Sequence, residues 1–241
     1  MQVLQRDGQV QASELSKTLH VSDDTIRRDL RELAAAGRLQ RVHGGALPRS
    51  PAVASFTERQ EQATGAKEAI AQAAVQFMRR DQVIILDGGT TPLQVAQHIP
   101  GDLRATIVTH SPPIALALAE YDDIEVILIG GKLNKRNLVS VGAGTIEAFE
   151  HIRADLCFLG ITSLHPEVGI STRDMDEAYV KRAMIASSAE VVALASAEKL
   201  GTASHYIVGP LRDLTHLITE RSVPNELLAP YKEAGITIVR A

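Results

Sequence analysis

The alternation of short apolar runs with helical segments after residue 62 is the feature that most limits how this chain can fold. Chain segments that alternate between strand and helix form parallel sheets. Runs that are apolar throughout, rather than at every second residue, are typical of strands buried on both faces. We therefore predict an α/β domain with a largely parallel sheet over residues 63–241. The main apolar runs are VIILD (83–87), ATIVTH (105–110), IEVILIG (124–130), ADLCFLG (154–160) and EVVALA (190–195).

The first predicted strand ends in a glycine-rich turn at which a ligand is expected. Open parallel sheets bind ligands beyond the carboxyl ends of their strands. Here that end is Asp87-Gly88-Gly89-Thr90-Thr91, and a helix follows directly. The glycines allow a tight turn, and the N–H groups and hydroxyls at the helix start suit a phosphate, while Asp87 can accept hydrogen bonds from sugar hydroxyls. The same five residues are equally compatible with a turn that binds nothing.

Polar and cationic residues also follow the other predicted strands. Together they favour a phosphorylated ligand more than any single motif does. Glu177 and Lys181 stand at i and i+4 on a later helix, so they either reach this edge of the sheet or form a solvated salt bridge. The strand-end residues are Thr109, His110 and Ser111, then Gly130, Gly131 and Lys132 with Lys135 and Arg136, then Gly160, and finally Lys199.

A helix with one apolar face and one cationic face is predicted between Ser22 and Gly37. Ser22 is a good N-cap, and glycine suits a helix end. The apolar stripe is Ile26, Leu30 and Leu33, spaced i, i+4, i+7, and at about 100° per residue the arginines fall on the far side. The far side carries Arg27, Arg28 and Arg31.

The segments around this helix complete a helix-turn-helix pattern with a wing. ASELSKTLH (12–20) precedes it as a shorter helix with Leu15 and Leu19 predicted inward, and RLQRVHGGA (38–46) has the alternation of a small β wing. A cationic helix face alone is most often merely solvated, but the cap, the first helix and the wing together favour DNA. The residues predicted to meet the major groove are Ser22, Thr25, Arg27, Arg28 and Arg31, and those of the wing are Arg38, Arg41 and His43.

The distribution of charge agrees with two units that do different work. The chain has a net charge of −4, yet residues 1–50 hold eight Lys and Arg against six Asp and Glu, and the remainder is net −6. The net charge by itself argues weakly against nucleic acid, but a mildly basic N-terminal unit on an acidic body suggests two separate functions.

Composition predicts a cytoplasmic protein without a membrane anchor. The single cysteine, Cys157, cannot form an internal disulfide, and it stands in an apolar run where a core position is expected. No apolar run approaches the ~18–20 residues of a membrane helix, and the first residues lack a signal core. His43 and His98 show no metal-ligand spacing, so neither a metal nor a cofactor is predicted.

The segment SDDTIRRDLRELAAAGRLQRVHGGA (22–46) resembles the N-terminal signature of the DeoR family of bacterial transcriptional regulators. The rest of the chain resembles the family's effector domain in DGGTT, VTHS, IGGKLNKR, SVGAGTIEAF, ADLCFLGI, GISTRDMDEAYVKRAMI and EKLG. The resemblance implies a winged helix-turn-helix with a truncated first helix over residues 1–46, a linker over 47–62, and an effector domain over 63–241 with a fold similar to ribose-5-phosphate isomerase. Phe56 and Arg59 resemble the family's linker pattern, which either docks on the body or forms a loose tether.

The resemblance also implies a function. It predicts a repressor of a carbohydrate operon that senses a phosphorylated sugar or similar metabolite and binds a double-stranded DNA operator. One recognition helix binds weakly, so a homodimer or homotetramer is expected. His110 stands where the family usually has Asn, and Ser196 where Asp is common, so the part that reads the sugar is predicted to be altered. The implied contacts are Asp87, Gly88, Gly89, Thr90, Thr91, Thr109, Ser111, Gly130, Gly131, Arg136, Thr172, Glu177, Lys181 and Lys199.

The alternative is an enzyme of the same fold, a sugar-phosphate isomerase or deaminase. Such chemistry needs an acid or base placed near C1 and C2 of the sugar. Glu177, Lys181 and Asp155 are the candidates. A helix-turn-helix has no purpose in a simple isomerase, so we predict a regulator and not an enzyme.

Overall fold

The computed structural model describes residues 1–49 and 54–241, and residues 50–53 of the predicted linker lie outside the described residues. The N-terminal unit is built from two helices in a helix-turn-helix followed by a β-hairpin, so the predicted winged helix-turn-helix is present. A further short strand pairs antiparallel with the second strand of the hairpin. The elements are α1 (Gln2–Asp7), β1 (Val10–Gln11), α2 (Ala12–Leu19), α3 (Asp23–Ala35), β2 (Leu39–Val42) and β3 (Gly45–Pro48).

Helix α3 forms where the sequence predicts it. The Ser22 side chain accepts a hydrogen bond from the Thr25 N–H and caps the helix. Ile26 and Leu30 are buried in a small core. The first helix, predicted to be truncated, is six residues long.

The prediction that Leu19 points inward is wrong, because its side chain is 55% exposed. Leu19 is the last residue of α2, and His20 then adopts a left-handed conformation that turns the chain away.

The second unit alternates helices and strands, as predicted. It also contains single turns of 3-10 helix at Val75–Phe77, Ala197–Lys199 and Leu211–Asp213. Its elements are α4 (Phe56–Gln60), α5 (Thr64–Ala74), β4 (Val83–Leu86), α6 (Thr90–Gln97), β5 (Ala105–Thr109), α7 (Pro112–Leu118), β6 (Ile124–Leu128), β7 (Lys132–Asn134), β8 (Val139–Val141), α8 (Ala143–Glu150), β9 (Ala154–Gly160), β10 (Ser163–His165), β11 (Gly169–Thr172), α9 (Met175–Ala186), β12 (Ser188–Leu194), β13 (Tyr206–Gly209), β14 (His216–Thr219), α10 (Asn225–Glu233) and β15 (Thr237–Arg240).

The main sheet has seven parallel strands in the order β15-β14-β12-β9-β4-β5-β6, which confirms the predicted α/β class. Both faces are covered. On β4, Ile84 and Leu86 pack in a core that contains residues of α5, α6 and α7. Ile85 faces the opposite side, where the core contains residues of α8, α9 and α10. Burial on both faces explains why the strands are apolar throughout.

Two small antiparallel units lie outside the main sheet. Strand β13 pairs with β11, which in turn pairs with β10. Strands β7 and β8 form a hairpin. These short segments lack the long apolar runs by which a buried parallel strand is recognised.

The described part of the predicted linker is docked on the body. Helix α4 begins with a capping box in which Ser55 and Glu58 bond each other's backbone N–H. Phe56 is buried in the core beside α5 and α6, and its N–H donates to the Arg136 carbonyl. This part of the linker therefore packs against the body and is not a loose tether.

Among the helices of the described ranges, none has both the length and the apolar character needed to cross a lipid bilayer.

Candidate functional site

The turn between β4 and α6 presents an open helix start to a cavity. Gly89 has φ 139°, a conformation that side chains disfavour, and no side chain caps the helix. A Cβ on Gly88 would lie 2.1 Å from the Val139 side chain, so the turn needs glycine at both positions. Thr91 Oγ1 is buried and has no hydrogen-bond partner in the described structure. The start of α6 therefore offers backbone N–H groups beside the Thr91 hydroxyl, which has no partner among the described residues.

The cavity at the carboxyl ends of β4 and β9 measures about 310 Å³. It brings together side chains that are far apart in sequence. Of the predicted site residues, it is lined by Asp87, Gly88, Gly89, Thr90, Thr91, His110, Glu177, Lys181 and Lys199. Sequence reasoning did not place Lys67, Asn137, Thr162 and Glu198 in the site, and it considered Arg59 only as a linker residue.

Asp87 is the centre of a buried polar network. Both of its oxygens accept backbone N–H groups, from Gly88 at 2.8 Å and from Gly160 at 2.8 Å. Lys181 Nζ donates to the carboxylate and, at 2.9 Å, to the Gly160 carbonyl. Burial opposes ionisation, but Lys181 and His110 hold the pKa of Asp87 below its ordinary value. The solvated Glu177–Lys181 salt bridge is not formed, because both side chains are buried and Lys181 pairs with Asp87.

His110 is held in a fixed orientation beside this carboxylate. Its Nδ1 lies 2.7 Å from the Ser140 carbonyl, so Nδ1 carries a proton and donates it. Its Nε2 lies 3.2 Å from Asp87 Oδ1. The ring also packs edge-on against Phe149, with centroids 6.0 Å apart.

Glu177 reaches the cavity from the first turn of α9, and Asp174 caps that helix. The amides of Asn134, at 3.0 Å, and Asn137 donate to Glu177 Oε1. Burial raises the pKa of Glu177. The Glu177 carboxyl therefore accepts hydrogen bonds in the cavity and binds a proton more readily than an exposed carboxyl does.

Two further lysines add positive charge at the cavity. Lys67 Nζ donates to the carbonyls of Arg59 and Gln62, so helix α5 is tied to α4 and to the residues that follow it. Burial lowers the pKa of Lys67. Burial also lowers the pKa of Lys199 to about 8, close enough to neutrality for a bound anion to determine its charge. No local motif marked Lys67, because it lies on a helix remote from the strand ends.

Four predicted residues, Thr109, Ser111, Gly130 and Gly131, do not line the cavity and make structural contacts instead. Thr109 Oγ1 accepts the Ser111 N–H at 3.2 Å. The Gly130 carbonyl accepts the Thr145 hydroxyl at 2.8 Å, and a Cβ on Gly131 would lie 2.1 Å from that hydroxyl. Strand ends therefore supply structural as well as ligand-facing groups.

The remaining predicted residues lie elsewhere. Lys132 is exposed and pairs with Asp176 at 3.5 Å. Arg136 and Thr172 line a neighbouring cavity. Asp155, a candidate for catalysis, accepts the Val83 N–H at 2.8 Å at the amino end of β4, the far end of the sheet from the cavity.

The N-terminal unit presents the predicted cationic face to solvent. Arg27 pairs with Asp23 at 2.7 Å, one turn earlier on α3. Arg27 and Arg41 line the same small surface depression, so the helix and the wing form one continuous face. The exposed members of this face are Arg27, Arg28, Arg31, Arg38, Arg41 and His43, with Ser22 and Thr25 at the helix start.

A metal site is not evident among the described residues. No group of three or more His, Cys, Asp or Glu side chains is placed there to hold an ion. Cys157 is buried, and burial raises the pKa of its thiol, as expected of a core cysteine.

A winged helix-turn-helix with exposed arginines, joined to an α/β domain with a polar, cationic cavity, defines a DNA-binding protein with a ligand-sensing domain. Models of two families match the chain: the DeoR-like helix-turn-helix domain over residues 1–51 and the DeoR C terminal sensor domain over residues 62–221. The chain belongs to the DeoR family of transcriptional regulators, as its sequence motifs predict.

Relatives of known name match nearly the whole chain. The HTH-type transcriptional regulator GlpR of Haloferax volcanii is 37% identical over 227 residues, covering 93% of this chain and 89% of the relative. The HTH-type transcriptional repressor GlcR of Bacillus subtilis is 31% identical, covering 92% and 86%. The glycerol-3-phosphate regulon repressor of Escherichia coli K12 is 30% identical, covering 93% and 89%.

Solved structures match at lower similarity. The full-length sorbitol operon regulator SorC from Klebsiella pneumoniae is 11% identical with a TM-score of 0.47, covering 94% of this chain and 95% of that one. Ribose 5-phosphate isomerase A from Methanocaldococcus jannaschii is 15% identical with a TM-score of 0.40, covering 55% and 52%.

Proposed function

We propose that this protein represses a carbohydrate-metabolism operon, and that a phosphorylated sugar or related metabolite bound in the 310 Å³ cavity changes its affinity for double-stranded operator DNA. The observation that carries the proposal is the buried Thr91 hydroxyl at the start of α6, which has no hydrogen-bond partner among residues 1–49 and 54–241. A buried hydroxyl without a partner is costly unless a ligand satisfies it. Relatives named as repressors, one of a glycerol-3-phosphate regulon, support this assignment.

The phosphate is placed at the start of α6. There the backbone N–H groups of the Gly89–Thr91 turn and the Thr91 hydroxyl can donate to its oxygens. Lys67 and Lys199 line the same cavity and supply positive charge. The sugar would then lie toward Glu177 and His110.

The role of Asp87 differs from the one expected. Its oxygens already receive hydrogen bonds from two backbone N–H groups and Lys181. We therefore assign Asp87 a positioning role: it holds Lys181 and the turn between β4 and α6, and it does not bind sugar hydroxyls.

The cavity lies against the segment that leads to the DNA-binding unit. Arg59, which lines the cavity, lies on α4, and the Ala203 N–H donates to the Pro48 carbonyl at 3.3 Å at the end of the wing. A ligand controls DNA affinity only if it binds two arrangements of these units unequally. Movement of the Arg59 segment is the proposed link.

Operator binding requires two recognition helices, and we propose a homodimer or homotetramer. A patch of exposed apolar side chains lies on α7, on β6 at the edge of the main sheet, and on β7. Its members are Leu116, Ile127, Leu128 and Leu133. An uncovered strand edge with exposed apolar residues is suited to pairing with a second copy. Because its target is genomic DNA, the assembly would act in the cytoplasm.

We also propose that the protein does not turn over its ligand. Of the three catalytic candidates, Asp155 is at the wrong end of the sheet and Lys181 is engaged in the ion pair with Asp87. The third, Glu177, is held by the amides of Asn134 and Asn137. Relatives along the whole chain are named as regulators.

A gel-shift titration with the full chain and the DNA upstream of its own gene tests the proposal. Phosphorylated sugars and glycerol 3-phosphate should change the apparent affinity, whereas the matched unphosphorylated compounds should not. Substrate consumption is followed in the same samples. Turnover, or DNA affinity that no phosphorylated compound alters, would contradict the proposal.

A further inference from the structure

A second polar cavity adjoins the first. It measures about 240 Å³ and shares Arg59, Asn137 and Thr162 with the first cavity. Its other walls include Arg136, Thr172 and Arg173. We call it the arginine cavity, because Arg59, Arg136 and Arg173 line it and Asp174 is the only acidic side chain in its wall within the described residues.

In residues 1–49 and 54–241 the guanidinium groups of the arginine cavity form no ion pairs with carboxylates, although the charge of Glu58 acts on Arg136 and that of Glu177 acts on Arg59. In the same ranges Arg173 Nη1 is buried without a hydrogen-bond partner. Arg59 bonds Asn137 Oδ1 at 2.8 Å and the Ser55 carbonyl at 3.4 Å, both uncharged acceptors. Arg136 is exposed, and Arg59 and Arg173 are partly buried, so the unfavourable group is the Arg173 Nη1 atom. A buried cationic donor without an acceptor is unfavourable unless something anionic binds it.

The positive charges of neighbouring arginines also favour an anion in this cavity. Burial, followed by the neighbouring charges of Arg49 and Arg136, lowers the pKa of Arg173. Burial and Arg136 also lower the pKa of Arg59, although Glu177 opposes this. An anion among these groups would offset the repulsion, as fork-shaped guanidinium donors are suited to do for phosphate and carboxylate oxygens.

The acidic groups nearby are turned to other partners. Asp174 Oδ1 accepts the Glu177 N–H at 3.0 Å as a helix cap. Glu177 Oε1 is held by the amides of Asn134 and Asn137. Both carboxyl groups are therefore engaged by donors other than the arginines.

We propose that the arginine cavity is a second anion site, which binds a phosphate or carboxylate group beside the ligand cavity of the proposed function. Two sources can supply that group: a second anionic group on the same metabolite, or a free phosphate ion. Because the cavities share three wall residues, a metabolite with anionic groups at both ends can occupy both.

Inorganic phosphate tests the site, using the thermal unfolding of the full chain at constant ionic strength. Arg173→Gln removes the guanidinium whose buried Nη1 has no partner among the described residues, and Arg212→Gln, at an exposed arginine of the same domain, is the matched control. Phosphate should raise the wild-type melting temperature, and this rise should fall to about half in Arg173→Gln, because ligand that binds only the native state stabilises it. The Arg212→Gln variant should respond like the wild type. An unchanged phosphate response in Arg173→Gln overturns the second site.

Thr91→Ala separates this proposal from the proposed function. If the phosphate response depends on Arg173 but not on Thr91, the second site stands and the first fails. If the response depends on Thr91 alone, the first site stands and the second fails.

Fructose 1,6-bisphosphate and fructose 6-phosphate then distinguish the sources. If both groups belong to one metabolite, the bisphosphate binds at least about tenfold more tightly in the wild type, and Arg173→Gln removes the difference, since a second tethered group gains effective concentration. Equal affinities alongside an Arg173-dependent phosphate response assign the site to a free phosphate ion.

Discussion

Lys181 on α9 and Asp87 after β4 form a buried ion pair although they are 94 residues apart in the chain. Both residues line the 310 Å³ cavity, and the pair joins the turn after β4 to α9. Both partners also bond Gly160 at the end of β9, so three elements meet at one carboxylate.

Removing one partner of this pair should destabilise the fold. Lys181→Met leaves a buried carboxylate without its cation, and we expect a loss of about 3 kcal/mol or more in the free energy of unfolding. The double variant Asp87→Asn with Lys181→Met should recover part of the loss. Urea denaturation measures both, and a double variant no more stable than Lys181→Met would argue against a direct pairing.

The same pair predicts a loss of stability in acid. The pKa of Asp87 is lowered in the folded protein, so its contribution is present above the ordinary carboxyl pKa of about 4 and is lost as pH falls below that value through the folded pKa. Stability against urea from pH 6 down to pH 3 should fall less steeply in Asp87→Asn than in the wild type. Parallel curves for the two proteins would contradict this account.

Thr91→Ala should separate binding from stability. Its hydroxyl has no partner within the described structure, so its removal should leave the melting temperature almost unchanged. Affinity for the phosphorylated effector should fall by about tenfold or more, the typical value of a hydrogen bond to a charged group. Calorimetric titration measures the affinity. Thr106→Val, at a hydroxyl that bonds Glu125 away from the cavity, is the control and should bind normally.

Effector affinity should decline in mild alkali. Burial lowers the pKa of Lys199 to about 8, so its ammonium is present below that pH and is lost as pH rises through it. Between pH 7 and pH 9 the affinity for an anionic effector should fall by about tenfold, because only the protonated form attracts the anion. In Lys199→Arg the charge persists and the decline should be shallower. Identical slopes in both proteins would show that another group titrates.

Arg28→Ala should weaken operator binding and reduce its salt dependence. A phosphate contact contributes about one unit to the slope of log affinity against log salt concentration. Arg28 is exposed on the cationic face of α3, and Arg212→Ala in the sensor domain is the matched control. Gel-shift titrations at several salt concentrations give the slope. A slope that equals that of the control variant would remove Arg28 from the interface.

The main helices and the strands of the parallel sheet are predictable from the sequence because their signals are local. Ser22 caps α3 through a residue three positions away, and Ile26 and Leu30 recur at the helical period. Continuous apolar runs such as residues 83–86 indicate strands buried on both faces. The glycines and threonines of residues 88–91 predict a turn followed by a helix start from their composition alone.

The composition of the cavity was decided by the tertiary structure. Strand order places β9 beside β4, and this brings Gly160 and Lys181 to Asp87. Lys132 ends at the surface, although it follows a strand in the same way. Which strand-end side chains converge depends on long-range pairing and on where each helix packs back on the sheet, and no short stretch of sequence encodes either. The arginine cavity has the same origin, since residues 59, 136 and 173 meet only in three dimensions.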